Sequence, residues 1–437
     1  MALLYAGSTA LTFGVGTLLA RLLGASGYGV YALAMTTATL VGTVTEFGLP
    51  VLAMREAGTA RADGRWDRLK GLLHWGDRAI LVLSALLVAG TWAGYELFAR
   101  DRSSAYLATL LWAVALIPFV ALAKLRAFVL IALDRVFASQ FPVMILRPAL
   151  FVAGCLGWWW LAGSLTPSAA MAVQAGGAAV VLCVVWVLFR RHRPPALVAA
   201  QPAYARREWL GAALPMGLTE GLRLLQGQLA LILVGVFATT AEAGIYRVAD
   251  AVAQIAALAA SVAGTAATPM FARLWREGDL DGIERIAILA AWAIVGGALV
   301  FGLPVAMTGH WLFPTVFGED FAGSAPVFLV LGGSVIVSGA FGLVVALANM
   351  TGHHLLTTRS FALIAVVNLA VAYLAIPSFG AVGAALGTLA GSLAGNAYCA
   401  AILFRRTGLN ATLLNVRAVP ILIEGLKATL RRAPDPD

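Results

Sequence analysis

The chain has 437 residues, 61% of them hydrophobic and 12% charged, with a mean hydropathy of +0.89. This composition excludes a water-soluble globular domain, whose charged fraction is about twice as large. A net charge of +9 would suit a nucleic-acid binder, but the basic residues lie in short loops beside apolar runs. Membrane topology and anionic lipid headgroups explain such loops, and no nucleic-acid partner is expected.

Apolar runs of membrane-spanning length predict twelve helices, at 2–23, 27–48, 77–99, 105–123, 141–163, 168–189, 209–237, 244–268, 285–307, 325–349, 358–376 and 381–404. Of the 30 Lys and Arg, 24 lie in or at the edge of the gaps after even-numbered spans, or in the C-terminal tail. Basic loops stay on the cytoplasmic side, so both termini are expected there. No charged leader or small-residue cleavage site marks a signal peptide, and span 1 is expected to stay in the mature protein.

Span 1 carries Thr12 and Gly16, and span 2 carries Thr36, Thr39, Thr43 and Glu46 along one helix face. Polar groups are costly against lipid, so this stripe turns to protein or water. It reads either as helix-packing glue or as the wall of a cavity. Lys124 and Arg126 fall just past span 4, at its cytoplasmic end. Pro148 in span 5, Pro215 in span 7 and Pro304 in span 9 are expected to bend their helices. Trp158, Trp159 and Trp160 close span 5, and Trp311 with Phe313 follows span 9, as an outer aromatic belt would. Cys155, Cys183 and Cys399 read as buried small apolar residues.

The polar, proline-broken stretch around Arg190–Pro195 reads as a linker between two halves. The expected organisation is an N-terminal six-helix lobe over 1–190, a linker over 191–208, a C-terminal lobe over 209–404 and a basic cytoplasmic tail over 405–437. An internal repeat supports it, because Gly29-Val30-Tyr31 aligns with Gly244-Ile245-Tyr246 at close to half the chain length. Six spans per half give both halves one orientation, with a pseudo-twofold axis along the membrane normal. The fold class is thus an all-α polytopic membrane protein. Residues 410–432 mix leucines with Arg417, Lys427, Arg431 and Arg432, as in an amphipathic surface segment.

In the second half, span 7 carries Glu220, Arg223 and Gln226, and span 8 carries Arg247, Asp250 and Gln254. Equivalent helices therefore hold polar stripes in both halves. The i, i+3 spacing of Glu220 with Arg223, and of Arg247 with Asp250, also permits simple local neutralisation. Three carboxylates (Glu46, Glu220, Asp250) face three arginines (Arg147, Arg223, Arg247), a balanced cavity with extra positive charge near its mouth at Arg21, Arg55, Lys124 and Arg126. Span 12 repeats glycine at 383, 387, 391 and 395, a stripe that lets a neighbouring helix approach closely.

The sequence has no P-loop, no HExxH and no GxSxG elbow. No catalytic residue, metal or cofactor is expected. His310, Glu319 and Asp320 form the one outer cluster that a membrane-embedded glycan polymerase or transferase could use.

Three segments carry a resemblance: Ala20-Arg21-Leu22-Leu23-Gly24, then Tyr28-Gly29-Val30-Tyr31, then Glu46-Phe47-Gly48-Leu49-Pro50. Together they resemble the opening signature of the polysaccharide transporter (oligosaccharide flippase, Wzx-type) family of the multidrug/oligosaccharidyl-lipid/polysaccharide (MOP) exporter superfamily. Ala243-Gly244-Ile245-Tyr246-Arg247 is similar to that family's eighth-helix motif. The resemblance implies two six-helix lobes in a V and movement of polyprenyl-pyrophosphate-linked oligosaccharide across the bacterial cytoplasmic membrane. The lipid-linked oligosaccharide, membrane lipids and other glycan-assembly proteins are the implied partners. It also implies that Arg21 and Arg247, with Arg55 and Arg223, hold the pyrophosphate. Thr36, Thr39 and Thr43 are expected to meet sugar hydroxyls, with Glu46, Glu220 and Asp250 as ion-coupling candidates. A cation-coupled drug antiporter of the same superfamily is the alternative; it would need a cavity dominated by carboxylates. This chain stops at twelve spans where some relatives have fourteen.

Overall fold

The structure, a computed structural model, describes residues 2–98, 104–413, 415 and 419–421, and among these it contains helices and no strand. The helices are α1 (Ala2–Glu46), α2 (Leu49–Asp63), α3 (Trp66–Phe98), α4 (Ser104–Ala132), α5 (Val136–Phe141), α6 (Arg147–Ala162), α7 (Pro167–His192) and α8 (Pro195–Ala199). They continue as α9 (Arg206–Phe237), α10 (Thr240–Ala256), α11 (Leu258–Glu277), α12 (Leu280–Phe317), α13 (Ser324–Ala340), α14 (Val344–Met350) and α15 (His354–Thr407). A π-helical turn over Pro142–Leu146 joins α5 to α6.

Among the described residues, nine helical stretches are long and apolar enough to cross a membrane, and α10 with α11 forms a tenth, bent by 41°. Two of the nine are hairpins. Helix α1 breaks at Gly24 (φ 66°), and a β-carbon on Gly16 would lie 3.6 Å from the Tyr28 hydroxyl. In an unbroken helix positions 16 and 28 would stand about 18 Å apart. Helix α15 breaks at Gly380 (φ 54°). The hairpin arms make the set consistent with twelve crossings. The tail residues Arg417, Lys427, Arg431 and Arg432 lie outside the described residues.

The chain forms two compact units, 1–228 and 229–437, and α9 runs through their boundary. In the first unit α4 is central and packs against α1, α2, α3 and α7. Its buried end is a cluster of Leu49, Leu52, Leu69, Leu72, Leu125 and Trp209. Trp209 stacks at a tilt on Trp75, with centroids 5.7 Å apart. The proline-broken segment is docked here too. Leu197 of α8 is buried in this cluster, and Lys70 Nζ donates to the carbonyls of Val198 and Ala200 at 2.7 Å.

The Glu46–Pro50 motif is a tight turn between α1 and α2. Phe47 (φ 49°) and Gly48 (φ 71°) are both left-handed, and Pro50 enters the first turn of α2, where its missing N–H has no partner to lose. Gly48 serves a second purpose. A β-carbon there would sit 2.5 Å from Ala213 O and 2.7 Å from Gly217 N, so its absence lets α9 cross backbone to backbone. That crossing brings the following turns of α9 alongside the end of α1.

In the second unit α11, α12, α14 and α15 share a core of Phe271, Leu274, Ile283, Val344, Leu347 and Leu403. The glycine stripe of the sequence is the seam of the α15 hairpin. β-Carbons on Gly387, Gly391 and Gly395 would come within 2.9 Å of Asn368 O, 2.7 Å of Ile364 O and 2.9 Å of Ser360 O. The Glu242 carboxylate of α10 accepts from Ala381 N at 2.8 Å, which satisfies a donor freed where the second arm begins. The Trp158, Trp159, Trp160 and Trp311 side chains are exposed, as a lipid-interface belt requires, but Phe313 is not part of it: its ring is buried against Phe317 and Phe328. Of the cysteines, Cys155 and Cys399 are buried as expected, whereas Cys183 is exposed.

Candidate functional site

The first unit holds a cavity of about 380 Å³ between α1, α4, α6 and α9. The threonine stripe forms one wall, with Thr39, Thr43 and Glu46 lining the space, while Lys124 and Arg147 come from α4 and α6 and Glu220 and Arg223 from α9. Seven residues singled out in the sequence are thus brought together. Thr36 is buried one turn away, and its hydroxyl donates to Gln228 Oε1 at 3.4 Å.

The threonine hydroxyls are not free donors. Thr39 gives its proton to Met35 O at 2.8 Å and Thr43 to Thr39 O at 2.9 Å. Such back-bonding satisfies a hydroxyl within its own helix and leaves lone pairs that accept from a ligand.

The charges are arranged in two pairs and a remainder. Lys124 Nζ lies 2.6 Å from Glu46 Oε2. Arg223 grips Glu220 in a two-pronged contact, Nε to Oε2 at 3.0 Å and Nη2 to Oε1 at 2.7 Å. The remainder is Arg147, whose Nε and Nη2 are buried without a hydrogen-bond partner. The lining therefore has three cations against two carboxylates, and the surplus positive charge is Arg147, two of whose guanidinium nitrogens have no partner.

Local backbone chemistry explains the position of Arg147. Pro148 has no N–H to give and its ring crowds the carbonyl four residues back, so the preceding turn opens to π geometry and Arg147 N donates to Pro142 O. Behind the same two cations lies an apolar pocket of about 260 Å³, walled by Phe119, Phe128, Val143 and Val181. Val120, Lys124 and Arg147 line both spaces. They form the partition between a polar chamber and an apolar one.

The second unit carries its own polar set on α10. Asp250 Oδ2 accepts from Arg247 Nη1 at 2.9 Å and Gln254 Nε2 at 2.8 Å. Next to Arg247, Tyr246 reaches Thr388 of the α15 hairpin at 3.4 Å. The spacing-based pairs of the sequence, Glu220 with Arg223 and Arg247 with Asp250, are therefore real ion pairs. Arg55 stands elsewhere, exposed on α2 at 3.9 Å from Glu56. Arg21 is exposed on α1, three residues before the Gly24 break, and does not line the cavity. Sequence reasoning placed Lys124 at a span end and gave Arg147 no role in binding. The signal for Lys124 was the helical apolar pattern that runs on to Ala132.

Among the described residues no group of His, Cys, Asp and Glu could hold a metal ion. His310, Glu319 and Asp320 are exposed around the end of α12.

Three comparisons place this architecture. The family model described as "Polysaccharide biosynthesis protein" matches residues 1–275, while no curated protein matches the chain. Among solved structures, the chain is similar to the lipid II flippase MurJ in its inward closed conformation, with a TM-score of 0.73 at 12% identity, over 100% of this chain and 93% of that one. It is similar to an inward-facing multidrug resistance MATE family transporter of the MOP superfamily, with a TM-score of 0.71 at 13% identity, over 91% of this chain and 94% of that one. The Vibrio cholerae MATE transporter VcmN in the bent form gives 0.56 at 16% identity, over 92% and 95%. Identities this low establish the shared fold, and the family match spans well over half of the sequence. The chain is a multi-pass membrane protein with the MOP-superfamily fold, and it belongs to the polysaccharide biosynthesis protein family.

Proposed function

We propose that the protein is a flippase for polyprenyl-pyrophosphate-linked oligosaccharide, the repeat unit of an O-antigen, capsule or exopolysaccharide. It moves this lipid from the inner to the outer leaflet of the bacterial cytoplasmic membrane by alternating access, with both termini cytoplasmic. The observation that carries the reading is Arg147, a buried guanidinium with two unpartnered nitrogens. An unpaired buried charge is costly, and a fork of N–H donors matches phosphate oxygens. A pyrophosphate would satisfy Arg147, and Lys124 lines the same cavity as a second cation once Glu46 releases it.

The two chambers suit an amphiphile. The sugar enters the polar side, where Thr39 and Thr43 accept from its hydroxyls, and the first isoprene units rest in the apolar pocket while the remaining tail stays in lipid. Arg21 and Arg247 act as further phosphate contacts along the path. Arg55, exposed beyond the cavity, raises local anion concentration at its mouth. Glu46, Glu220 and Asp250 are the coupling groups, because each carboxylate holds a cation that protonation would release for phosphate. The antiporter reading gains support from the MATE likeness, but a cationic drug would meet a surplus of positive charge.

Binding to purified protein separates the two. Lipid-linked oligosaccharide should bind about tenfold more weakly to Arg147→Ala, the loss of one contact to a charged group, and a lipophilic cation should compete poorly. Tight binding of the lipophilic cation that Glu46→Gln abolishes would favour the antiporter.

A further inference from the structure

A third cavity, of about 210 Å³, opens at the basic-loop end of the first unit between α3, α4, α7 and α8. It is remote in character from the substrate chamber. Lys70, His74, Arg126, Arg190 and Arg193 line it, and Asp77 is its single carboxylate. Arg126 is buried, donates to Asp77 Oδ2 at 2.6 Å and lies 4.0 Å from the Trp186 ring centroid. Arg190 lies over the same ring at 5.5 Å.

Three groups here are unspent. Among the described residues Arg190 and Arg193 form no ion pair, although both border the cavity. Asp77 Oδ1 is buried and has no donor. A ligand that satisfies all three must bring a negative charge and a hydrogen-bond donor close together, and among headgroups a hydroxyl supplies the donor without adding a cation beside the arginines.

The setting supplies the rest of the ligand. One turn further into the membrane, Leu81 on α3 and Cys183 on α7 are exposed, and α4 lies against both helices. Apolar side chains are thus exposed one turn beyond the cavity on two of the helices that line it. Basic pockets between transmembrane helices at this depth recruit anionic headgroups.

We infer that this cavity binds one glycerol-headed anionic phospholipid, phosphatidylglycerol in chemistry, from the leaflet on the basic-loop side. Arg190 and Arg193 hold the phosphodiester. A headgroup hydroxyl donates to Asp77 Oδ1, and the acyl chains run along Leu81 and Cys183. Phosphatidylethanolamine fits badly, because its ammonium would face four permanent cations. Phosphatidic acid lacks the hydroxyl. The inference does not depend on what the protein transports.

The test is native mass spectrometry of delipidated protein titrated with each lipid. Wild type should take up one phosphatidylglycerol in preference to phosphatidylethanolamine and phosphatidic acid. Arg190→Gln/Arg193→Gln should bind it about 30-fold more weakly, near fivefold for each cation at an anionic surface, with the same thermal midpoint. Both residues are exposed, so the variant should fold. Asp77→Asn should narrow the preference for phosphatidylglycerol over phosphatidic acid. Equal phosphatidylglycerol binding by wild type and the double variant would overturn the proposal. Displacement of the lipid by inorganic phosphate or glycerophosphoglycerol at similar concentration would also overturn it, since it would identify a free-phosphate site.

Discussion

Replacing Gly48 by alanine imposes two separable penalties. The residue is left-handed at φ 71°, which costs an L-amino acid about 1–2 kcal/mol. Its new β-carbon would also lie 2.5 Å from Ala213 O, 2.7 Å from Gly217 N and 3.1 Å from Met216 Cβ. Backbone atoms cannot swing away, so overpacking of about 1–3 kcal/mol is added. Gly64 is the matched control, with φ 74° and nothing within 4 Å of its β-carbon. Gly64→Ala should therefore lose only the conformational part, and the entropy that alanine removes from the unfolded chain is common to both and cancels. Equilibrium unfolding in mild detergent should show Gly48→Ala weaker than Gly64→Ala by about 1–3 kcal/mol. Because α9 carries Glu220 and Arg223, the same variant should reduce ligand binding, whereas Gly64→Ala should not. Equal losses of stability would refute the close approach of α9 to the α1–α2 turn.

Three further outcomes follow from the geometry. Gly391→Ala should destabilise the α15 hairpin by about 1–3 kcal/mol, measured by the same unfolding assay, while Gly333→Ala, whose β-carbon meets nothing within 4 Å, should be close to neutral. Glu46→Gln and Lys124→Met should each lower stability, and the double variant should recover part of the loss, with a coupling energy of about 0.5–3 kcal/mol in a double-mutant cycle. Thr39→Val and Thr43→Val should each raise the transport KM by roughly two- to tenfold, the worth of one neutral hydrogen bond, without lowering stability, because each hydroxyl proton is spent inside its own helix.

Much of this was legible in the sequence because the membrane enforces simple patterns. Apolar length set the spans, and the four glycines of span 12 marked a backbone contact before the partner arm was known. The i, i+3 spacing found both the Glu220–Arg223 and the Arg247–Asp250 pairs. What one-dimensional reading lacked was depth and register. Lys124 looked terminal because it and Arg126 interrupt the apolar run, yet the apolar pattern and the helix continue to Ala132 and carry the ammonium to Glu46. Arg147 could be counted but not aimed, since its direction depends on a π turn set by Pro148. Arg55 was grouped with the cavity by its charge and by the family resemblance, and the tight turn at Gly48 places it on α2, exposed and outside the lining.

The most direct test of the flippase reading is translocation of a polyprenyl-pyrophosphate oligosaccharide in proteoliposomes that contain wild type, Arg147→Lys or Arg147→Ala at matched reconstitution. The account predicts transport by wild type, a fall of about tenfold or more in Arg147→Ala, and partial activity in Arg147→Lys, which keeps the charge but loses the fork. Full-rate transport by Arg147→Ala, or none by wild type across several glycans and ion gradients, would contradict it.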